Sequence, residues 1–126
     1  MTQSVLIVDD EPMARTLLRL MLVRAGFDVA EAENGFDALD KLEVNRPDLI
    51  LLDVMMPGMD GFTVCQKVRA KVKSAELPII MLSAKTDIDS INKGLAAGAT
   101  KYLTKPISPE DLTKHVREAL SNNIEA

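Results

Sequence analysis

The stretch Leu49–Asp53, with the sequence LILLD, decides the fold of this chain, because a run of four apolar residues ends directly on a carboxylate. Two other runs have the same form. Residues 5–8 (VLIV) precede Asp9, and residues 79–82 (IIML) precede Ser83. Continuous apolar runs of this length are typical of β-strands that are buried on both faces of a sheet. We therefore predict three central strands, each followed at once by a polar residue.

The rest of the chain alternates with these runs. Two weaker strands are predicted, one near residues 28–31 and one at residues 102–103. Apolar residues recur at helical spacing in the five segments between and after the strands, which predicts five helices. We expect helices to end at Gly26 and Gly98, one helix to begin at the N-cap Asp60, and the last helix to begin at the cap Ser108. Five alternating strands and helices predict an α/β protein with a doubly wound parallel sheet.

Length and composition limit the possible functions. The 126 residues, 47% of them hydrophobic, form one domain at 1–126 with a core at about 4–121. A single Cys excludes an internal disulfide, which fits the reducing environment of the cytoplasm. One Cys and one His cannot form a zinc finger. The net charge of -4 argues against direct binding of nucleic acid. No membrane or targeting segment is visible, and we expect neither membrane insertion nor an output domain in this chain.

The residues that follow the strands carry most of the chemistry. In chain order, Asp9 and Asp10 follow the first predicted strand, and Asp53 follows the third. Ser83 follows the fourth predicted strand, and Lys105 lies just after the fifth. Because parallel strands end at the same edge of a sheet, these side chains converge there. Two carboxylates about 4 Å apart repel by about 4 kcal/mol at an effective dielectric constant of about 20. Three such groups need a cation or a raised pKa, and a hard divalent cation with oxygen ligands would meet this need.

Each of these residues also has an ordinary explanation when it is taken alone. An isolated Asp at a strand end is usually a solvated turn residue, Lys105 could be a surface amine, and Ser83 could cap the fourth helix. The hypothesis of a functional cluster depends on all of them reaching one edge. Elsewhere we expect Cys65 to be a buried small side chain and His115 to be solvated on the last helix.

Four motifs together resemble the receiver domain of bacterial two-component response regulators, of the kind found in chemotaxis. They are VDDE at residues 8–11, DVMMPGMDG at residues 53–61, MLSA at residues 81–84 and YLTKP at residues 102–106. They extend over nearly the whole chain. The resemblance implies a flavodoxin-like fold with five helices and the strand order 2-1-3-4-5.

The resemblance also implies the composition of the site. Asp53 would accept the phosphoryl group, and Asp9 and Asp10 would hold Mg²⁺ (or Mn²⁺) together with Asp53 and the backbone carbonyl of Met55. Lys105 would pair with the phosphoryl group. Its peptide bond to the following proline is usually cis in the family.

Four further residues receive roles from the same resemblance. Ser83 would be the switch hydroxyl and Tyr102 the aromatic residue that turns inward on activation. Ala84 would leave room beside the phosphoryl group. Met55 and Lys85 occupy variable positions that set access for water, and we expect them to slow autodephosphorylation to a low or moderate rate.

The function that follows is a phosphorylation-activated switch rather than a metabolic enzyme. It would take its phosphoryl group from a sensor histidine kinase or a histidine phosphotransfer protein. The face formed by helix 4, strand 5 and helix 5 would signal to a separate protein, with the domain a monomer or a weak phosphorylation-dependent dimer. The family often has acidic residues where Thr100 and Lys101 stand, and this departure bears on the choice of partner.

Two other classes of protein remain as alternatives. A receiver-like interaction module that no longer takes phosphate is disfavoured by the complete set of site residues. A flavin-binding protein of the same fold needs a hydroxyl- and Gly-rich phosphate loop after the first strand, whereas this chain has acidic residues there. Acidic side chains repel a cofactor phosphate, which disfavours the flavin hypothesis.

Overall fold

A computed structural model describes residues 2–125, with Val72 and residues 122–125 described by their backbone alone. The strands are β1 (Ser4–Val8), β2 (Asp28–Ala32), β3 (Leu49–Asp53), β4 (Ile79–Ser83) and β5 (Lys101–Thr104). The helices are α1 (Pro12–Arg24), α2 (Gly35–Val44), α3 (Gly61–Ala70), α4 (Ile88–Ala96) and α5 (Pro109–Glu125), and a short 3₁₀ helix covers Val72–Ser74.

The five strands form one parallel sheet in the order β2-β1-β3-β4-β5. This confirms the predicted α/β class, the doubly wound topology and the strand order. The order reverses between β1 and β3, and in sheets of this type the carboxyl ends of the strands at that point form a crevice. The strand order therefore marks the edge beyond Val8 and Asp53 as the place for a site.

The sheet has a core on each face, which explains the continuous apolar runs. On one face Leu6, Ile50 and Ile79 pack with residues of α2 and α3, such as Ala38 and Val64. On the other face the alternate strand residues, among them Ile7, Leu51 and Ile80, pack with residues of α1 and α5. Because both faces are covered, each central strand needs apolar residues at every position.

The helix ends follow the predicted capping residues. The Asp60 carboxylate accepts a hydrogen bond from the backbone N–H of Thr63 at 2.8 Å, and Ser108 Oγ accepts one from Asp111 at 3.1 Å. Gly26 and Gly98 have φ angles of 98° and 109°, a conformation that suits glycine just after a helix. The ordinary explanation of Ser83 as a cap is wrong, because Asp87 caps α4 by accepting from the Ser90 N–H at 2.9 Å.

Two features of the surface differ from the sequence-based expectations. The apolar stripe of α4 is largely on the surface, with Ile88 67% exposed and Leu95 47% exposed. The spacing of the apolar residues therefore predicted the position of this helix but not its buried face. His115 is half-buried rather than solvated, and its Nδ1 lies 3.0 Å from Lys101 Nζ. The reason is that β5 brings Lys101 beside α5, which the local sequence of α5 cannot reveal.

None of the helices in the described part of the chain combines the length and the hydropathy needed to cross a membrane.

Candidate functional site

Three carboxylates meet at the carboxyl edge of the sheet. Asp9 and Asp53 are buried, with 2% and 8% of their surface exposed, and Asp10 is exposed. One carboxylate oxygen from each lies within 4.8 Å of the others. A group of hard oxygen donors this close together, open to solvent on one side at Asp10, fits Mg²⁺ or Mn²⁺ and does not fit a soft metal.

The sheet itself brings these carboxylates together. Val8 pairs with Leu52 in the parallel ladder, so Asp9 and Asp53 leave neighbouring strands at the same level. The loop after β3 then turns tightly into α3. The Gly61 N–H donates to the Val54 carbonyl at 2.9 Å, and a Cβ at position 61 would collide with the backbone carbonyl of Asp53. A glycine at this position therefore allows α3 to begin directly against the site.

Lys105 faces this cluster, as predicted. Its Nζ lies 3.3 Å from Asp9 Oδ2 and 3.7 Å from Asp53 Oδ1. The Lys105 N–H donates to the Ser83 carbonyl at 2.8 Å, which continues the ladder between β4 and β5 beyond the end of the strands. The Lys105–Pro106 peptide bond is cis, as the resemblance implied. One ammonium group thus faces three carboxylates, and the site retains negative charge.

The electrostatic cost of this arrangement falls on Asp53. Burial, which removes water from the carboxylate, raises its pKa from the ordinary 3.8 to about 6. Lys105 opposes this rise, and the negative charge of Asp9 adds to it. Asp53 therefore loses its proton below neutral pH and is mostly ionised at pH 7, although its charge is poorly solvated.

Ser83 and Tyr102 are linked through one peptide segment. The buried Ser83 Oγ accepts a hydrogen bond from the Lys85 N–H at 3.1 Å, and the Tyr102 hydroxyl donates to the Lys85 carbonyl at 3.0 Å. The Tyr102 ring packs against α4 at Gly94, where a Cβ would lie 2.7 Å from the ring carbon Cδ2. A movement at Ser83 can therefore reach Tyr102 through the backbone of Lys85.

The residues predicted to tune access surround the opening of the site. Met55 is 55% exposed, and its N–H donates a long hydrogen bond of 3.4 Å to Asp53 Oδ1. Ala84 and Lys85 are exposed at the start of the loop between β4 and α4. The structure thus places every predicted site residue at the carboxyl edge of the sheet, except Tyr102, which lies within β5 and reaches that edge through its hydroxyl.

Two residues outside the site have structural roles, and the burial expected of Cys65 is confirmed. Asp48 lies at the opposite edge of the sheet, where its carboxylate accepts from the Ser4 N–H at 2.7 Å. Cys65 is fully buried, with its thiol donating to the Ala97 carbonyl at 3.4 Å. Burial raises the pKa of this thiol, which disfavours a reactive thiolate.

One residue beside the site was not predicted. The guanidinium of Arg15 on α1 donates to the backbone carbonyl of Asp9 at 2.8 Å and lies 3.3 Å from the Glu31 carboxylate on β2. The sequence held one signal for it, since Arg15 lies a few residues beyond the acidic pair, in the first part of an amphipathic helix. The identity of its partners depends on the packing of α1 over β1 and β2.

Fold and site together define a class of protein, a flavodoxin-like α/β domain with three carboxylates at the switch point of its sheet and a lysine that faces them. Comparison with known proteins makes this more specific. The sequence model of the response regulator receiver domain matches residues 5–117. The chain belongs to this family, and its family relationship confirms the resemblance inferred from the four motifs.

Several individual proteins are similar to this chain. The DNA-binding response regulator MtrA of Mycolicibacterium smegmatis is 43% identical over 123 residues, which cover 98% of this chain and 53% of MtrA. The alkaline phosphatase synthesis transcriptional regulatory protein PhoP of Bacillus subtilis is 43% identical over 120 residues, which cover 95% of this chain and 49% of PhoP. The chain thus spans about half the length of these curated relatives.

Two solved structures match this chain over nearly their whole length. The chemotaxis protein CheY4 of Vibrio cholerae superposes with a TM-score of 0.90 and 37% identity, covering 94% of this chain and 99% of CheY4. A chain named as a response regulator from Chloroflexus aurantiacus gives a TM-score of 0.93 and 40% identity, covering 96% of this chain and 99% of the other.

Proposed function

We propose that this receiver domain accepts a phosphoryl group on Asp53 in a reaction that depends on Mg²⁺, and later removes it by autodephosphorylation. The observation that carries the proposal is the meeting of Asp9, Asp10 and Asp53 within 4.8 Å, opposite the single ammonium of Lys105. A structural role does not require three carboxylates at this distance. A phosphoryl-transfer site does, because it needs both a nucleophile and a place for a cation.

The reaction follows from the chemistry of these residues. An ionised oxygen of Asp53 attacks phosphorus, and the bond from phosphorus to the histidine nitrogen of the donor breaks as the new acyl phosphate bond forms. A bound Mg²⁺, held by Asp9, Asp10, Asp53 and the Met55 carbonyl, would neutralise charge on the phosphoryl oxygens. Lys105 adds a second positive charge from the β5 side of the site. Its Nζ is already within 4 Å of both buried carboxylates.

The signal would leave the site through the backbone link described above. The Ser83 hydroxyl can donate a hydrogen bond to a phosphoryl oxygen. Because that oxygen carries charge, this bond is stronger than the one that Ser83 Oγ accepts from the Lys85 N–H. When Ser83 Oγ turns away, the Lys85 N–H loses its acceptor at 3.1 Å. The loop can then move, and the bond from Tyr102 to the Lys85 carbonyl is released so that the ring turns inward. The face of α4, β5 and α5 changes shape as a result.

The partners and setting extend this proposal. The phosphoryl donor is a sensor histidine kinase or a histidine phosphotransfer protein in the cytoplasm, and the target is a separate protein that recognises the face of α4, β5 and α5. MtrA is named as DNA-binding, but the chain covers only 53% of it. For this domain, with a net charge of -4, we propose no direct contact with nucleic acid. In solution it is a monomer or a weak dimer that phosphorylation favours.

The test is the intact mass of the protein after incubation with acetyl phosphate and Mg²⁺. We expect the parent protein and Asp48→Ala each to gain one phosphate, and Asp53→Ala to gain none. Asp48 is the matched control, because it precedes the same strand but lies at the opposite edge. If neither acetyl phosphate nor a histidine-phosphorylated donor protein adds a phosphate to the parent, the domain is an interaction module and the proposal fails.

A further inference from the structure

We propose that Arg15 is a positioning residue for the cation pocket, and that it raises the affinity for Mg²⁺ by fixing the backbone at Asp9. This inference rests on the proposed function, because it concerns the same pocket. Arg15 contacts none of the three carboxylates among the described hydrogen bonds and ion pairs. It acts instead on the main chain that carries two of them.

Both main-chain polar groups of Asp9 and its carboxylate have hydrogen-bond partners. The Asp9 N–H donates to the Ala32 carbonyl at 3.2 Å, and its carbonyl accepts from Arg15 Nη1 at 2.8 Å. Its carboxylate accepts from the Glu11 N–H at 3.0 Å. Asp9 is almost completely buried, and shortening Arg15 would remove the hydrogen-bond donor to its carbonyl. Rotation of that peptide group would turn the following residue, Asp10.

Arg15 is itself held in place from β2. Its side chain is only 16% exposed, and its Nε lies 3.3 Å from Glu31 Oε1. Arg19, one turn further along α1, has its Nε 3.0 Å from the other Glu31 oxygen, Oε2. The two arginines share one carboxylate, but only Arg15 reaches the end of β1. Glu31 thereby orients Arg15 without touching the pocket.

The sign of the effect separates positioning from simple electrostatics. Arg15 is a cation next to an acidic pocket, so its charge alone opposes the binding of another cation. Removal of that charge would therefore tighten Mg²⁺ binding if charge were the dominant effect. Positioning predicts the opposite, because outer groups that orient metal ligands typically contribute about 10–100-fold in affinity. A loss of affinity in a variant that has also lost a positive charge can come only from geometry.

The experiment measures Mg²⁺ affinity by NMR, from the amide shifts of Asp9, Asp10 and Asp53 in the metal-free protein at neutral pH. We expect Arg15→Gln to weaken Mg²⁺ binding by about tenfold. Arg15→Lys should bind about as weakly as Arg15→Gln, because one ammonium group cannot replace a planar guanidinium that contacts two partners. Arg19→Gln is the matched control, and its affinity should equal that of the parent protein.

The outcomes distinguish this inference from the proposed function. If the parent protein binds no Mg²⁺, the proposed function fails. If the parent binds and Arg15→Gln binds equally well or more tightly, the positioning role is overturned. Equal losses in Arg15→Gln and Arg19→Gln also overturn it, since they would point to Glu31 alone. If Arg15→Gln does not fold, Arg15→Lys decides, and an affinity equal to that of the parent contradicts the inference.

Discussion

The two ends of β3 each have an aspartate, and these aspartates are held in opposite ways. Asp48, just before the strand, accepts from the Ser4 N–H at 2.7 Å and so ties β1 to β3. Asp53, at the other end, has a backbone donor at 3.4 Å and the Lys105 ammonium at 3.7 Å, with two other carboxylates nearby. The carboxylate at the amino edge of the sheet therefore stabilises the fold, whereas the carboxylate at the carboxyl edge is left without a close hydrogen-bond donor.

The largest effect should come from removing the ammonium group that faces the carboxylates, that of Lys105. We expect Lys105→Met to slow phosphorylation by acetyl phosphate by about 10²–10³-fold, because the developing charge on the phosphoryl oxygens loses a positioned donor. Lys114→Met, which removes an exposed lysine of α5, should leave the rate unchanged. The rate of mass gain measures both. A slowing of less than threefold in Lys105→Met would mean that this lysine only balances charge in the folded protein.

A pair of matched substitutions tests the comparison directly through stability. Without Mg²⁺ at pH 7, Asp53→Asn should raise the free energy of unfolding by up to about 3 kcal/mol, because it removes a carboxylate whose pKa is raised to about 6. Asp48→Asn should lower it by about 1 kcal/mol, because it weakens the hydrogen bond from Ser4. Urea unfolding of the two variants measures both signs.

The pH dependence gives this prediction a second test. Between about pH 4 and pH 6 folded Asp53 keeps a proton that the unfolded chain has already lost. The stability of the parent protein should therefore fall as pH rises through this interval, and the advantage of Asp53→Asn should vanish below about pH 4. A gain for Asp53→Asn that is the same at pH 3 and pH 7 would show that burial of the charge is not its cause.

The smallest effect concerns the opening of the carboxyl edge. Replacing Met55 by Asn and Lys85 by Ala together should speed autodephosphorylation by less than tenfold, a change in barrier below about 1.4 kcal/mol. Both side chains are exposed at the opening of the site, where we expect them to impede water without contacting phosphorus. The decay of phosphoprotein mass after the donor is removed measures the rate. An unchanged rate would contradict the shielding role of these residues.

The sequence was informative wherever a signal was local. The run at residues 49–52 and the carboxylate after it were sufficient to predict β3 and the edge on which Asp53 lies, since burial on both faces requires every residue of the strand to be apolar. The caps at Asp60 and Ser108 were equally local. The sheet order came from the family resemblance, because no local pattern determines which strands become neighbours.

What could not be predicted depends on contacts between distant segments. Arg15 meets Asp9 and Glu31 only because α1 crosses β1 and β2, and a lone arginine on an amphipathic helix is ordinarily a solvated residue. His115 was expected to be solvated for the same reason, until β5 placed Lys101 beside it. A raised pKa or a cation was expected for the carboxylate cluster, but burial, the largest cause of the raised pKa of Asp53, depends on the three-dimensional fold.

Helix α4 is held at its carboxyl end by side chains of α3, whereas its amino end lies on the surface. At its carboxyl end the Cys65 thiol donates to the Ala97 carbonyl, and Arg69 Nε donates to the Gly98 carbonyl at 2.8 Å. At the other end Ile88 is 67% exposed next to a cap formed within the loop. Nine residues give a length of about 13 Å, so a rotation of about 10° about the fixed end moves Ile88 by roughly 2 Å. A rearrangement of the loop beside Ser83 would therefore displace Ile88 while the carboxyl end of α4 stays in place.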